Sequence, residues 1–339
     1  MSHNSATHRE VRLSIRPQGT LTPAHFEVVE VPVPTPAPGQ LLVRNRLMSV
    51  TAVMRTLMRG DVELPMPGYV PGAVLWGPAV AEVVTAPPGS GLRPGDLVEH
   101  GLGWREYAAL PPEDAQLLDL DVLPDPTAHL SQGFIAWLGV VRAAHVRPGD
   151  TVFVSGAAGG VGSLAGQFAR LRGAGRLIGS TSTRRKGAYL MKELGYDAVV
   201  LRTEGEGTVE EQLREAAPEG LDAVFDNVGG EQLRASVALA RREARIALVG
   251  GLSGQMAGGA GTLTEIDTFD LVSRGITLRG IAGADHLDAL PQWQDEFGRG
   301  LRDGTLTVPH ASLLGIDRAP QALCELLEGR HVGAVLVKL

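Results

Sequence analysis

The stretch that decides the fold runs from Thr151 to Ser163 and reads Thr-Val-Phe-Val-Ser-Gly-Ala-Ala-Gly-Gly-Val-Gly-Ser. Its apolar start predicts a short buried strand, and Leu164, Phe168 and Leu171 follow at helical spacing. The turn between them has almost no side chains, which lets backbone N–H groups and a helix N-terminus approach a pyrophosphate closely. The residues predicted to make this approach are Ala158, Gly159, Gly160, Val161 and Gly162.

The residues after the next predicted strand indicate which dinucleotide the chain binds. A site for NAD would carry Asp or Glu there, to accept hydrogen bonds from the adenosine ribose. This chain instead has four hydroxyl residues, 180–183, followed by Arg184, Arg185 and Lys186. A 2′-phosphate needs hydroxyl and cationic partners. The sequence therefore predicts NADPH, with Thr183 and Lys186 among its ligands and one of the two arginines facing solvent.

Bulk composition excludes several classes of protein. The chain has 339 residues, enough for two domains, and a net charge of −7, which argues against a nucleic-acid surface. No apolar run reaches membrane-spanning length, and the polar N-terminus lacks the apolar core of a secretion signal, so we expect a cytoplasmic protein. The single cysteine, Cys324, excludes an intrachain disulfide and a multi-cysteine zinc site. We expect Cys324 to be a buried structural thiol.

The first third of the chain is predicted to be mainly β structure, from Val11 to Pro126. Prolines at every second position from Pro32 to Pro38 predict an extended connection between two strands. The predicted strands lie at Phe26–Val31, at Gln40–Leu47, within Val70–Val84 and at Asp96–Val98, and a helix is predicted over Ser131–Ala144.

From Thr151 onward, predicted strands and helices alternate. The strands are Thr151–Ser155, Arg176–Ser180, Ala198–Leu201, Ala223–Asp226, Arg245–Val249 and Ile276–Gly280. The helices are Val161–Arg172, Arg185–Leu194, Val209–Ala216, Glu231–Ala240, Ile266–Arg274 and Ala289–Leu301. Six strands in this alternation predict an α/β fold with a doubly wound parallel sheet.

Four motifs resemble the medium-chain dehydrogenase/reductase superfamily, and more closely its zinc-free alkenal, prostaglandin and leukotriene reductases. They are Gly103-Trp104-Arg105-Glu106-Tyr107, Ala157-Ala158-Gly159-Gly160-Val161-Gly162, Lys186 before Tyr189-Leu190, and Phe225-Asp226-Asn227-Val228-Gly229-Gly230. The resemblance covers nearly the whole chain. It implies a β-rich GroES-like catalytic domain (1–127, with a return at 303–339) and an NADPH-binding Rossmann domain (128–302). It also implies a homodimer that pairs through the last strand of the Rossmann domain.

The resemblance allows a prediction about zinc. Zinc-dependent members of the superfamily carry a Cys and a His-Glu pair in the first domain, whereas the stretch matching that pair here reads Val70-Pro71-Gly72-Ala73-Val74. We therefore expect no metal site and no oxidation through a zinc-bound alkoxide. A zinc-free member must reduce a substrate that is already activated, and the cofactor supplies the hydride.

Further site residues follow from the resemblance. Arg202 stands where relatives carry a tyrosine that contacts the 2′-phosphate, and arginine binds phosphate bidentately. The other implied cofactor contacts are Asn227, Gly250, Leu252 and His331. The implied substrate pocket contains Val53, Trp137 and Gln255, of which Val53 and Gln255 replace two pocket tyrosines of the relatives.

Several of these residues have a second interpretation. Asn227 is also typical of a turn. Trp137 is equally consistent with a buried core residue, and His331 with a residue of a surface loop. No catalytic side chain is assigned by the sequence. The predicted activity is reduction of a conjugated or otherwise activated double bond in a small molecule. The loss of both tyrosines favours a quinone or iminium substrate as the alternative, and an NADPH-binding sensor without turnover is a third hypothesis.

Overall fold

The computed structural model describes residues 6–61, 66–256 and 263–339, and of Gln255 and Met256 it describes the backbone only. The chain divides into two compact units. Met1–Ser131 and His310–Leu339 form the first, which we call the β-rich domain, and Gln132–Pro309 forms the second, which we call the Rossmann domain.

Strands occur in both domains of the described chain, whereas most of its helices lie in the Rossmann domain. The strands are β1 (Thr7–Leu13), β2 (Phe26–Pro32), β3 (Leu41–Val50), β4 (Ala79–Thr85), β5 (Leu97–His100), β6 (Tyr107–Leu110), β7 (Gln116–Leu117), β8 (Thr151–Val154), β9 (Arg176–Thr181), β10 (Ala198–Leu201), β11 (Leu221–Asp226), β12 (Ala240–Leu248), β13 (Thr277–Gly280), β14 (His310–Leu314) and β15 (Ala334–Lys338). The α-helices are α1 (Val53–Leu57), α2 (Pro126–His129), α3 (Gly133–Leu138), α4 (Gly160–Leu171), α5 (Arg184–Glu193), α6 (Val209–Ala216), α7 (Gly230–Ala238), α8 (Leu252–Met256), α9 (Thr268–Arg274), α10 (Leu290–Asp303) and α11 (Ala319–Leu327).

The Rossmann domain is built on a six-stranded parallel sheet with the order β10-β9-β8-β11-β12-β13. The strand order reverses between β8 and β11, which is the place where open α/β sheets bind ligands. One completely buried side chain from each of the five strands β8 to β12 contributes to the core: Phe153, Ile178, Val200, Val224 and Ile246. The predicted doubly wound α/β fold is confirmed.

The described strands of the β-rich domain form two sheets. Strands β1 and β2 pair antiparallel, and a larger sheet has the order β14-β15-β3-β4-β5-β7, with β6 added beside β3. The last segment of the chain contributes β14, β15 and α11 to this domain. Cys324 on α11 is buried in the core beside Leu323 and Ile316, as predicted, and burial raises the pKa of its thiol to about 11.

Two predicted elements differ from the structure in more than the residues at which they begin and end. Within Val70–Val84 only β4 is a strand. Gly72 has a φ of +82° and donates its N–H to Leu13, so the chain turns there instead of extending. The helix predicted over Ser131–Ala144 begins at Gly133 and continues as a π-helical turn from Gly139 to Ala143. A Cβ on Gly139 would lie 2.3 Å from the Phe225 ring, which explains glycine at this contact with β11.

No helix in the described part of the chain combines the length and the hydrophobicity needed to cross a membrane.

Candidate nucleotide site

The glycine turn between β8 and α4 leaves the start of the helix open. Gly156 has a φ of +62°, and Gly159 precedes the helix in an extended conformation. No side chain caps α4, and the first helical bond runs from the N–H of Ser163 to the carbonyl of Gly159. The N–H groups of the first turn are therefore directed out of the helix, where they favour an anion.

Close packing explains why the turn and the helix are rich in glycine. A Cβ on Gly162 would lie 2.4 Å from the carbonyl oxygen of Gly156 and 2.8 Å from the Cα of Ala157. One on Gly166 would lie 2.1 Å from the hydroxyl of Tyr196. That hydroxyl donates a hydrogen bond of 3.2 Å to the carbonyl of Gly162. The helix therefore rests directly on the turn, and any side chain at Gly162 would separate them.

Two buried polar side chains beneath the turn fix its position. Ser180 at the end of β9 accepts a hydrogen bond of 2.9 Å from the N–H of Gly156, and its carbonyl accepts one of 2.8 Å from the N–H of Ala157. The hydroxyl of Ser180 donates in turn to the side chain of Gln232 on α7. The sequence alone suggested no role for Gln232, since a lone Gln on a helix carries no distinctive pattern.

A second network places Asn227 at the end of β11. The backbone N–H of Asn227 donates to the hydroxyl of Ser155 (2.8 Å), which donates to the carboxylate of Asp226 (2.7 Å). Asp226 also accepts a bond of 2.9 Å from the N–H of Gly229. Burial raises the pKa of Asp226 above its usual range, although these hydrogen bonds act in the opposite direction. Asp226 thus holds the turn that presents Asn227.

The structure brings three predicted cofactor residues together at this point. The carbonyl of Asn227 accepts a hydrogen bond of 3.2 Å from the N–H of Leu252, the first residue of α8. A Cβ on Gly250 would lie 2.4 Å from the Oδ1 atom of Asn227, so Gly250 packs directly against that amide. Gly250 and Asn227 are both accessible at the surface of the domain, at the carboxyl end of the sheet.

The basic residues predicted to bind the 2′-phosphate gather at the start of α5. Thr183 caps the helix by accepting a hydrogen bond from the N–H of Lys186. Lys186 is only 5% exposed, and burial together with the neighbouring cations Arg185 and Arg202 lowers the pKa of its ammonium group to about 8. The N–H of Arg202 bonds to the carbonyl of Thr181, which places Arg202 beside the end of β9. A cationic group held near other cations is stabilised by a bound anion.

Glu204 is a residue of this region that sequence reasoning missed. Its Oε2 atom accepts a hydrogen bond of 2.6 Å from the backbone N–H of Arg184. The sequence has no acid directly after β9, and Glu204 reaches the site from the turn after β10. The sequence feature that could have identified Glu204 is its position two residues after Arg202, at the carboxyl end of the adjacent parallel strand.

The remaining predicted site residues belong to other elements of the fold. Trp137, in the Rossmann domain, is completely buried and donates a hydrogen bond of 3.0 Å to Glu296, and its place in the substrate pocket stays a prediction. Val53 begins α1 in the β-rich domain and is half-buried. His331, also in the β-rich domain, bonds to Glu325 at 2.8 Å. The side chain of Gln255 lies outside the described residues.

Metal-ligating side chains do not cluster in the part of the chain that the structure describes. Within residues 6–61, 66–256 and 263–339, no group of three or more His, Cys, Asp or Glu side chains is arranged to hold a metal ion. The expectation of a metal-free protein stays a prediction.

Two family models match the chain. The first, described as an N-terminal domain of oxidoreductase, matches residues 9–118. The second, described as zinc-binding dehydrogenase, matches residues 160–297, a segment that contains no cysteine in this chain. The two matches fall in the β-rich domain and the Rossmann domain respectively.

Several known proteins are similar to this chain over nearly its full length. The putative NADP-dependent oxidoreductase YfmJ of Bacillus subtilis is 30% identical, over 99% of this chain and 98% of that protein. A 2-alkenal reductase (NADP(+)-dependent) of Nicotiana tabacum is 29% identical, over 88% of this chain and 87% of that protein. Among solved structures, CurA from Vibrio vulnificus in complex with NADPH superimposes with a TM-score of 0.88 at 27% identity, covering 97% of this chain and 98% of that one.

Proposed function

Because the chain belongs to the medium-chain dehydrogenase/reductase superfamily, in the branch that contains the alkenal and prostaglandin reductases, we propose that it is an NADPH-dependent, zinc-independent reductase of an activated carbon–carbon double bond. The observation that carries the proposal is the pairing of an uncapped glycine turn with a buried lysine at the next helix start. These two features fit the pyrophosphate and the 2′-phosphate of one dinucleotide.

The donor set fits NADPH in its chemistry. The first-turn N–H groups of α4 would hold the pyrophosphate, because no side chain caps the helix and Gly162 lets its first turn pack directly on the glycine turn. Lys186 and Arg202 would hold the 2′-phosphate through charge-assisted hydrogen bonds. Asn227, Gly250 and Leu252 would line the same carboxyl edge of the sheet. Bound NADPH supplies a hydride.

The lack of a hydroxyl donor at Val53 bears on the class of substrate. Val53 has a hydrocarbon side chain, so it donates no hydrogen bond at the position where the family resemblance implies a pocket tyrosine. A substrate must then be electrophilic through its own conjugation. The missing hydroxyl by itself favours quinones and iminium ions, whose electrophilic carbons need less assistance from a donor. The enone or alkenal assignment is supported instead by the similarity to alkenal and prostaglandin reductases.

A substrate panel tests the activity. We expect purified protein to oxidise NADPH in the presence of conjugated enones and to leave the matched saturated ketones and isolated alkenes unchanged. Activity should persist after treatment with a chelator, since the multi-cysteine and His-Glu zinc ligands are missing from the sequence. The readout is NADPH absorbance with product identification, and cyclic imines and quinones complete the panel.

Two outcomes of the panel would contradict the proposal. Tight NADPH binding with no turnover on any compound would favour the sensor hypothesis. Reduction confined to quinones or imines would replace the enone assignment with the alternative substrate class.

We also propose that the protein forms a homodimer through the edge of the Rossmann sheet. Strand β13 ends the sheet, and exposed edges of this kind are prone to pair. The preceding helix α9 exposes two large apolar side chains, Phe269 at 72% and Val272 at 77%. A second copy of the chain would cover both the strand edge and this apolar surface.

We expect light scattering at micromolar concentration to give the mass of two chains. The double variant Phe269→Asp with Val272→Asp should shift the protein to a monomer, because it places two charges where apolar surface would be buried. Leu314→Asp is the matched control, since Leu314 is equally exposed but belongs to the β-rich domain. A monomeric wild-type protein would refute the dimer.

A further inference from the structure

An acidic side chain occupies the N-terminus of α5, the helix start that we assign to the 2′-phosphate. The carboxylate of Glu204 accepts the N–H of Arg184, the first residue of the helix, at 2.6 Å. Lys186 lies in the first turn of the same helix, and Arg202 lies two residues before Glu204. Negative charge is favoured at a helix N-terminus. Glu204 therefore makes the kind of contact that a phosphate would make at this position.

The turn that presents Glu204 is held in place by its neighbours. The side-chain amide of Gln212 on α6 accepts a hydrogen bond of 2.8 Å from the N–H of Leu201 and donates one of 3.1 Å to its carbonyl. A Cβ on Gly205 would lie 2.3 Å from the Leu201 carbonyl oxygen, so the chain fits there only with glycine. Gly207 has a φ of +77°. These contacts define the path of the turn and place Glu204 beside α5.

We propose that Glu204 is a cofactor-specificity residue whose carboxylate competes with the 2′-phosphate for the basic start of α5. The inference rests on the proposed use of NADPH. A phosphate dianion at Lys186 and Arg202 must either displace Glu204 from the N–H of Arg184 or lie beside a like charge, and both weaken its binding. NADH has a free 2′-hydroxyl, which donates to a carboxylate instead of repelling it. Glu204 thus narrows the preference for NADPH over NADH.

The substitution Glu204→Gln removes the charge and keeps the shape and the acceptor oxygen. We expect it to tighten NADPH and the fragment 2′,5′-ADP by about fivefold, the factor associated with one charge at a helix N-terminus. Binding of NADH and of 5′-ADP should stay the same or weaken. The matched control is Glu206→Gln, which makes the same charge change at an exposed acid two residues away.

Isothermal titration calorimetry of the full chain with these four ligands tests the inference without any measure of turnover. Tighter binding of the two 2′-phosphorylated ligands in Glu204→Gln alone supports it. No change, weaker binding, or an equal gain in Glu206→Gln overturns it. The wild-type titrations test the proposed cofactor separately, because a wild-type protein that binds 5′-ADP as tightly as 2′,5′-ADP would refute the 2′-phosphate site itself.

Discussion

We expect Lys186→Ala to weaken NADPH binding and to leave NADH binding nearly unchanged. Loss of one charge-assisted phosphate contact costs roughly 1.5–3 kcal/mol, which corresponds to about tenfold or more in affinity. The effect is selective because Lys186 lies with Arg202 at the start of α5, where the 2′-phosphate alone distinguishes the two cofactors. Lys192→Ala is the control on the same helix, since its side chain is 85% exposed.

The pH dependence of binding adds an independent check on this lysine. The pKa of Lys186 is about 8 because the group is buried and faces Arg185 and Arg202. A bound phosphate favours the ammonium form and raises this pKa, so NADPH binding should take up protons near pH 8 and weaken as the pH rises further. Calorimetry in buffers of different ionisation enthalpy measures the uptake. Equal losses of affinity for NADPH and NADH in Lys186→Ala would contradict the assignment. So would a proton uptake on NADPH binding that is the same in Lys186→Ala as in the wild-type protein.

Gly162→Ala should weaken the binding of NADPH and NADH alike. The added Cβ would lie 2.4 Å from the Gly156 carbonyl oxygen, a distance that real contacts do not show, so the helix and the turn must separate. Overpacking of this kind costs about 1–3 kcal/mol of stability. It also moves the N–H groups of α4 away from the pyrophosphate position, so we expect the affinity for both cofactors to fall by about tenfold or more.

The control for Gly162→Ala is Gly19→Ala, where an added Cβ would meet nothing within 4 Å. Thermal unfolding measures the stability change, and titration with both cofactors measures the affinities. A Gly162→Ala protein that binds NADPH normally would show that α4 does not supply the pyrophosphate contact. A loss restricted to NADPH would place the effect at the 2′-phosphate instead.

The Rossmann domain was predictable from sequence because its strands are short, apolar and separated by regular helices. Strand β10 and helix α6 have the predicted bounds, Ala198–Leu201 and Val209–Ala216. The capping box of Thr208 and Glu211 marks the start of α6 in the sequence itself. Strand β12 begins at Ala240, earlier than predicted. Its first half was missed because residues 241–243 are charged and exposed and show no apolar pattern.

The β-rich domain was less predictable, since its strands pair with partners distant in the chain. Strand β3 pairs with β6, more than fifty residues later, and with β15 from the far end of the sequence. No local pattern specifies such partners. Strand β7 has only two residues, too few to show an alternation of apolar and polar residues.

In the candidate site too, residues in local motifs were predictable and residues brought in by distant parts of the chain were not. The glycine turn and Lys186 were accessible because each belongs to a local motif with a mechanism. Glu204 was not, because it reaches α5 through the parallel alignment of β9 and β10. Trp137 was named only through the family resemblance; it is completely buried, and its role in the pocket stays a prediction.

The most direct test of the proposed activity follows the transferred hydride. NADPH carrying deuterium at C4 of the nicotinamide is incubated with the protein and a conjugated enone, and the saturated product is analysed by mass spectrometry and NMR. We predict that deuterium appears on the electrophilic carbon of the former double bond. Consumption of NADPH without deuterium in a reduced product, or binding of NADPH with no reduction of any activated double bond, would contradict the assignment.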